Sequence, residues 1–159
     1  MTQTQRSERP VRQRALLVLA TLAAAFSMTA CGHVMVMLHG TGAVRPAPGE
    51  FGLGPRVSAT GRYVATLEPA SPLKRRQMQT VRVVIRDADG RAVDAADIGI
   101  DGGMPQHGHG LPTRPRARHL GDGIYEIDGV RFNMGGWWEF RLAIAGPHGA
   151  DTVTFNLDL

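Results

Sequence analysis

The chain of 159 residues holds one cysteine, Cys31, so no disulfide can form within it and a folded domain must be held by its own apolar core. Beyond the first thirty residues no segment shows the 3.6-residue apolar period of an amphipathic helix, which excludes a helical bundle. No Lys, Arg, Asp or Glu occurs from Ala15 to Val44. No serine or cysteine stands in a nucleophile setting, and no glycine-rich loop leads into a helix to cradle a phosphate. An evenly basic surface is also missing. The net charge is +4, but Arg6, Arg9, Arg12 and Arg14 oppose only Glu8 in the first fourteen residues, and 14 basic residues meet 13 acidic ones from Cys31 onward. A nucleic-acid-binding role thereby loses its main support.

What is present at the N-terminus has the three parts of a secretory signal. A basic start ends at Arg14, the apolar run "ALLVLATLAAAFSMTA" follows, and small residues precede Cys31. "MTAC", Met28 to Cys31, resembles a bacterial lipobox, which implies cleavage before Cys31 and lipidation of its sulfur. The alternative is an uncleaved anchor, since Ala15 to Leu38 is long enough to cross a bilayer core of ~30 Å. Either way the expectation is a periplasmic, membrane-anchored chain. Gly32, rather than aspartate, after Cys31 favours the outer membrane over the inner.

Residues 1–30 are therefore read as signal or anchor helix, 31–60 as a flexible Gly/Pro-rich tether ("HGTGAVRPAPGEFGLGP"), and 61–159 as one domain. In that domain Val81, Val83 and Ile85 alternate with Arg82 and Arg86. Trp138, Phe140, Leu142 and Ile144 alternate with Trp137, Glu139 and Arg141, and Val153, Phe155, Leu157 and Leu159 with Thr152, Thr154, Asn156 and Asp158. A period of two with polar partners means strands with one buried face. Turn signals at "DADGR" (87–91), "GDG" (121–123), "DG" (128–129) and "GPHG" (146–149) divide them into hairpins. The fold class is all-β, an immunoglobulin-like antiparallel sandwich of about seven strands without the usual cysteine pair.

The segment "DGGMPQHGHGLPT" carries the densest chemistry. In an extended chain His107 and His109 project to one side and can offer two imidazoles to one ion, and the Met104 thioether adds softness that suits copper. Gly108 and Gly110 also suit a plain turn, in which the histidines bond to nearby backbone. Met134, before the glycines of "FNMGGWW", is a possible further ligand or a core filler. Trp137 and Trp138 face opposite ways, so at most one lies deep in the core and the other covers a loop or meets a partner. His33, Met35, Met37 and His39 alternate as a second soft-ligand set or simply prolong the apolar leader. A zinc hydrolase with His119 as third ligand would have only Asp101 for a base. Arg114, Arg116 and Arg118 alternate as a solvated basic face, with an acidic partner or lipid headgroups as the other possibility. No catalytic residue is assigned, and the chain is read as a non-enzyme.

The blocks "GGMPQHGHGLPT" and "GDGIYEIDGVRFNMGGWW" resemble the YtkA-like and FixH-like family of small exported bacterial domains, a likeness running from about Arg62 to Leu159. The resemblance implies an immunoglobulin-like sandwich outside the cytoplasm. Through its FixH branch it implies copper handling beside a copper transporter or a respiratory metalloprotein. Carried onto this chain, the implied metal residues are Met104, His107, His109 and Met134. Family members often carry a histidine at the start of the second strand, where this chain has "RRQMQTVRV" with Met78 nearby to replace it as a ligand, and proline is common where Gly135 stands, which implies a looser turn before Met134. The alternative function is a metal-free periplasmic module that docks a membrane-associated partner.

Overall fold

Period-two runs become strands throughout. The computed structural model describes residues 42–159, and its elements are β1 (Arg56–Val57), β2 (Tyr63–Pro69), β3 (Met78–Asp87), β4 (Asp97–Met104), β5 (His109–Gly110), β6 (Arg116–Gly121), β7 (Ile124–Arg131), β8 (Trp137–Gly146) and β9 (Gly149–Asp158). One antiparallel sheet has the order β1-β2-β3-β7-β6 and the other β5-β4-β8-β9. Without the two-residue strands β1 and β5, the seven longer strands follow the order of a constant-type immunoglobulin sandwich. The signal or anchor segment, Cys31 and the His33–His39 ladder lie outside the described residues. Among the described residues no helix is long and apolar enough to cross a membrane.

The core is built from the faces that the alternation marks. Val81, Val83 and Ile85 of β3, Phe140, Leu142 and Ile144 of β8, and Val153 and Phe155 of β9 are all buried. Trp138 is fully buried, and its ring meets Phe132 edge-on at 5.2 Å between centroids, with Phe140 also edge-on to Phe132 at 6.2 Å. "GPHG" forms the expected tight hairpin, Gly146 pairing with Gly149. The "DG" at 128–129 does not turn the chain. Val130 pairs with Gln79 and Ile127 with Val81, so Asp128 and Gly129 together oppose Thr80 in a β-bulge inside β7. Gly129 has φ 82°, and Thr80 Oγ1 donates to Asp128 at 2.7 Å.

The expected tether is shorter than its Gly/Pro content suggested. Arg45 pairs with Asp158 at 2.6 Å and stacks over the Phe51 ring, Phe51 bridges to Asn156, and Leu67 N donates to the Leu53 carbonyl at 2.7 Å. From Arg45 onward the chain is thus bound to the domain, and β1 extends its sheet. This packing also alters the tryptophan expectation. Trp137 faces away from the core, yet both tryptophans are buried. The Trp137 indole donates to Asn156 Oδ1 at 2.9 Å, and its cross-strand partner is Asp158. Arg45 and Phe51 of the entering segment engage these same two residues, Asp158 and Asn156.

Candidate functional site

Strand directions sort the loops into two ends. One end collects the β2–β3 loop (69–78), the β4–β5 turn, the 111–115 link, the β7–β8 loop (131–137) and the C-terminus. The chain also enters the fold here, through Arg45 on Asp158. All four expected metal residues and Met78 lie at this entry end.

The β4–β5 turn is compact. His107 N and Gly108 N both donate to the Met104 carbonyl, at 3.0 and 2.9 Å, and Gly108 has φ 65°, a conformation glycine adopts freely. His107 therefore sits in a turn and not in the expected extended segment. The two imidazoles nevertheless remain neighbours, both exposed, with ring centroids 6.3 Å apart and planes within 18° of parallel. Two imidazoles whose nitrogens lie ~2.0–2.1 Å from one ion have centroids about 5–6.5 Å apart, depending on the angle at the metal. The observed separation is at the wide, near-linear end of that range.

The two methionines have different settings. Met104 is 1 % exposed, the last inward residue of β4, and its terminal methyl lies 3.3 Å from where a Cβ on Gly136 would stand. It packs beneath the β7–β8 loop. Met134 is 41 % exposed, and its carbonyl accepts from the Trp138 indole at 3.2 Å, which fixes the backbone while leaving the thioether outside. Gly135 does not loosen this loop. A Cβ there would fall 2.8 Å from both the Arg75 guanidinium and the Leu159 carbonyl, and Gly136 and Leu159 exchange two backbone hydrogen bonds.

The carboxylates nearby are already engaged. Arg141 donates to Asp101 at 2.6 Å and to Glu139 at 2.8 Å. The Arg141 hydrogen bond holds Asp101 below the usual carboxylate range, so Asp101 is a poorer proton acceptor than a free aspartate. His119 belongs to the opposite end. It contacts Asp94 at 3.1 Å and packs on Tyr125, while Asp94 precedes the start of β4 and His107 follows its end. Eight residues of strand at ~3.3 Å each separate those ends. The three-histidine zinc arrangement therefore does not form. Among the described residues no three His, Cys, Asp or Glu side chains gather as a metal site would need. An ion at this end would need thioether ligands beside the imidazole pair.

The sequence reading overlooked Lys74, Arg75, Arg76 and Arg131. The first three form the run "LKRR" in the β2–β3 loop, and Arg131 is the cross-strand partner of Met78. The run was visible in the sequence. Its convergence with Arg131, Arg114 and Arg116 depends on the sheet order.

A two-sheet antiparallel domain with soft-ligand loops gathered at one end is the class these observations define. The family model described as YtkA-like matches residues 58–143, more than half of the chain. The chain belongs to the YtkA-like family. No curated protein and no solved structure gives a significant match.

Proposed function

We propose that this protein is an exported, membrane-anchored domain that binds copper, as Cu(I), at the entry end of its sandwich and takes part in copper handling or respiratory metalloprotein assembly. In this reading Cys31 carries the lipid, or the leader remains as an anchor, in the periplasm and with the outer membrane favoured. The pair of exposed, near-parallel imidazoles His107 and His109 carries the proposal, and Met134 is the thioether free to join them. Among the described residues no third His, Asp, Glu or Cys completes a cluster with the pair, which favours a soft ion that accepts few ligands and tolerates sulfur. Met104 keeps a place in the site as the floor of the turn, and it becomes a ligand only if the turn opens. The partner that fits is a copper transporter or a respiratory metalloprotein.

The test is a Cu(I) competition titration on residues 42–159, which hold the entire described core. The parent is expected to bind one ion, and the His107→Ala/His109→Ala variant to lose at least tenfold in affinity. Equal affinity of variant and parent overturns the site. No binding by the parent leaves the metal-free docking module as the function.

A further inference from the structure

The charge of the sandwich is divided between its ends. The three loops of the entry end, residues 69–78, 104–116 and 131–136, carry Lys74, Arg75, Arg76, Arg114, Arg116 and Arg131 and no Asp or Glu. All six side chains are exposed, and none makes an ion pair among the described residues. Besides the hydrogen-bonded Asp151, the opposite end carries Asp87, Asp89, Asp94 and Asp97 from the end of β3 to the start of β4 and Asp122 in a hairpin, against Arg62, Arg86 and Arg91. Four of those carboxylates have partners: Arg91 on Asp87 and Asp89, His119 on Asp94, and Arg86 on Asp122. The two ends therefore differ in sign: the opposite end holds a surplus of carboxylates, and the unpaired positive charge gathers at the entry end.

Apolar side chains are set among these cations. Of the six large hydrophobic residues exposed in the described chain, Val44 (88 %), Leu53 (38 %), Met78 (62 %) and Met134 (41 %) lie along the entering segment or in the entry-end loops. Unpaired cations around a few exposed alkyl and thioether groups are what an anionic bilayer surface receives: headgroup phosphates take the charge and the interfacial layer takes the short apolar groups. An acidic protein surface would need carboxylates opposite six dispersed cations and would leave those apolar groups to be covered separately.

We infer that the entry end of the sandwich docks on anionic lipid headgroups, through Lys74, Arg75, Arg76, Arg114, Arg116 and Arg131, with Met78 and Met134 reaching the interface. The chain leaves the domain at this same end, so docking and anchoring pull on one face. The domain then lies with its His107–His109 turn toward the bilayer, where a membrane-embedded partner is reached without detachment. The inference does not depend on metal binding.

Co-sedimentation of residues 42–159 with vesicles tests it, comparing phosphatidylglycerol mixed into phosphatidylcholine with phosphatidylcholine alone. Binding is expected only with the anionic lipid and is expected to disappear at about 0.5 M NaCl, where the screening length falls to a few ångströms. Each cation near such a surface contributes roughly a fivefold factor, so Lys74→Ser/Arg75→Ser/Arg76→Ser should bind on the order of a hundredfold less tightly. Arg91→Ser, at the opposite end, and His107→Ala/His109→Ala should bind vesicles like the parent, which separates failure here from failure of the copper reading. Equal binding to neutral vesicles, or an unaffected triple variant of native circular dichroism, overturns the inference. So does absence of vesicle binding, and retention on immobilised polyglutamate would then assign the surface to an acidic protein partner.

Discussion

The two ends of one sandwich are finished differently. At the end away from the entering chain, polar groups are satisfied from within. The Asp151 carboxylate accepts from Thr60 N and Oγ1, from Thr152 N and from Arg62 N. Tyr63 Oη donates to the Gly149 carbonyl and accepts from His148 N, and Tyr125 Oη donates to the Val93 carbonyl at 2.7 Å. At the entry end Arg45 is paired with Asp158, but the six loop cations are unpaired, and the imidazoles and two thioethers face outward. Among the described residues, two of the three buried side-chain polar atoms that lack a protein partner, Thr113 Oγ1 and Asn133 Oδ1, lie in the entry-end loops. A shared core thus supports one end specialised for stability and another that offers its groups to something else.

The contrast breaks first if the shared core fails. Trp138→Ala removes the largest fully buried side chain, the ring packed on Phe132 and tied to the Met134 carbonyl. It should cost about 3–5 kcal/mol in urea unfolding. A loss near 1 kcal/mol would mean that the ring supports only its own loop and that the ends are stabilised separately.

Asp151 sharpens the other side. Burial raises its pKa, but the hydrogen bonds from Ser58, Thr60 and the Thr152 and Thr60 amides outweigh that and hold the carboxyl well below the usual range. An unfolded aspartate titrates near ~3.9. Below that value the unfolded chain takes up a proton that the folded chain refuses, so stability is complete above it and falls as pH drops toward the folded pKa. Asp151→Asn should melt several degrees lower at pH 7, flatten the fall in melting temperature between about pH 4 and pH 2, and leave Cu(I) affinity unchanged. A melting temperature equal to the parent's would show that the amide satisfies the same donors and that the charge is immaterial.

Much of this fold was legible because it rests on local alternation. β3, β8 and β9 bury the residues their period of two selects, and the hairpins at 121–123 and 146–149 fall on their turn signals. Long-range contacts were not legible. Gly/Pro content hid the docking of Arg45 and Phe51 on β9, at the two residues beside which Trp137 is buried. A glycine after aspartate marked a change of backbone direction at 128–129, but only the pairing with Gln79 and Val81 makes it a bulge. The Met104 setting could have been read. Ile98 and Ile100 put every second residue of β4 inward, and the same count reaches Met104 through Gly102, where a Cβ would strike the Glu139 carbonyl at 2.9 Å.

Removal of the imidazoles separates binding from stability. His107→Ala/His109→Ala deletes two exposed side chains, and surface changes of this kind stay within about 0.5 kcal/mol each. Urea unfolding should match the parent while Cu(I) affinity falls. If stability fell with affinity, the turn would be structural and the difference between the ends would be smaller than its geometry suggests.

The smallest effects divide the methionines, and both substitutions conserve volume. Met104→Leu changes a buried side chain and should cost under about 1.5 kcal/mol in unfolding with no change in Cu(I) affinity, because the side chain serves as packing, its terminal methyl set against Gly136. Met134→Leu changes an exposed one and should leave unfolding unaltered while weakening Cu(I) severalfold, because leucine offers no sulfur. The reverse pattern, with affinity lost at Met104 and kept at Met134, would place the ion inside the turn. It would require the hairpin from Met104 to Gly108 to open on binding, which amide exchange at His107 and Gly108 would register as loss of their bonds to the Met104 carbonyl.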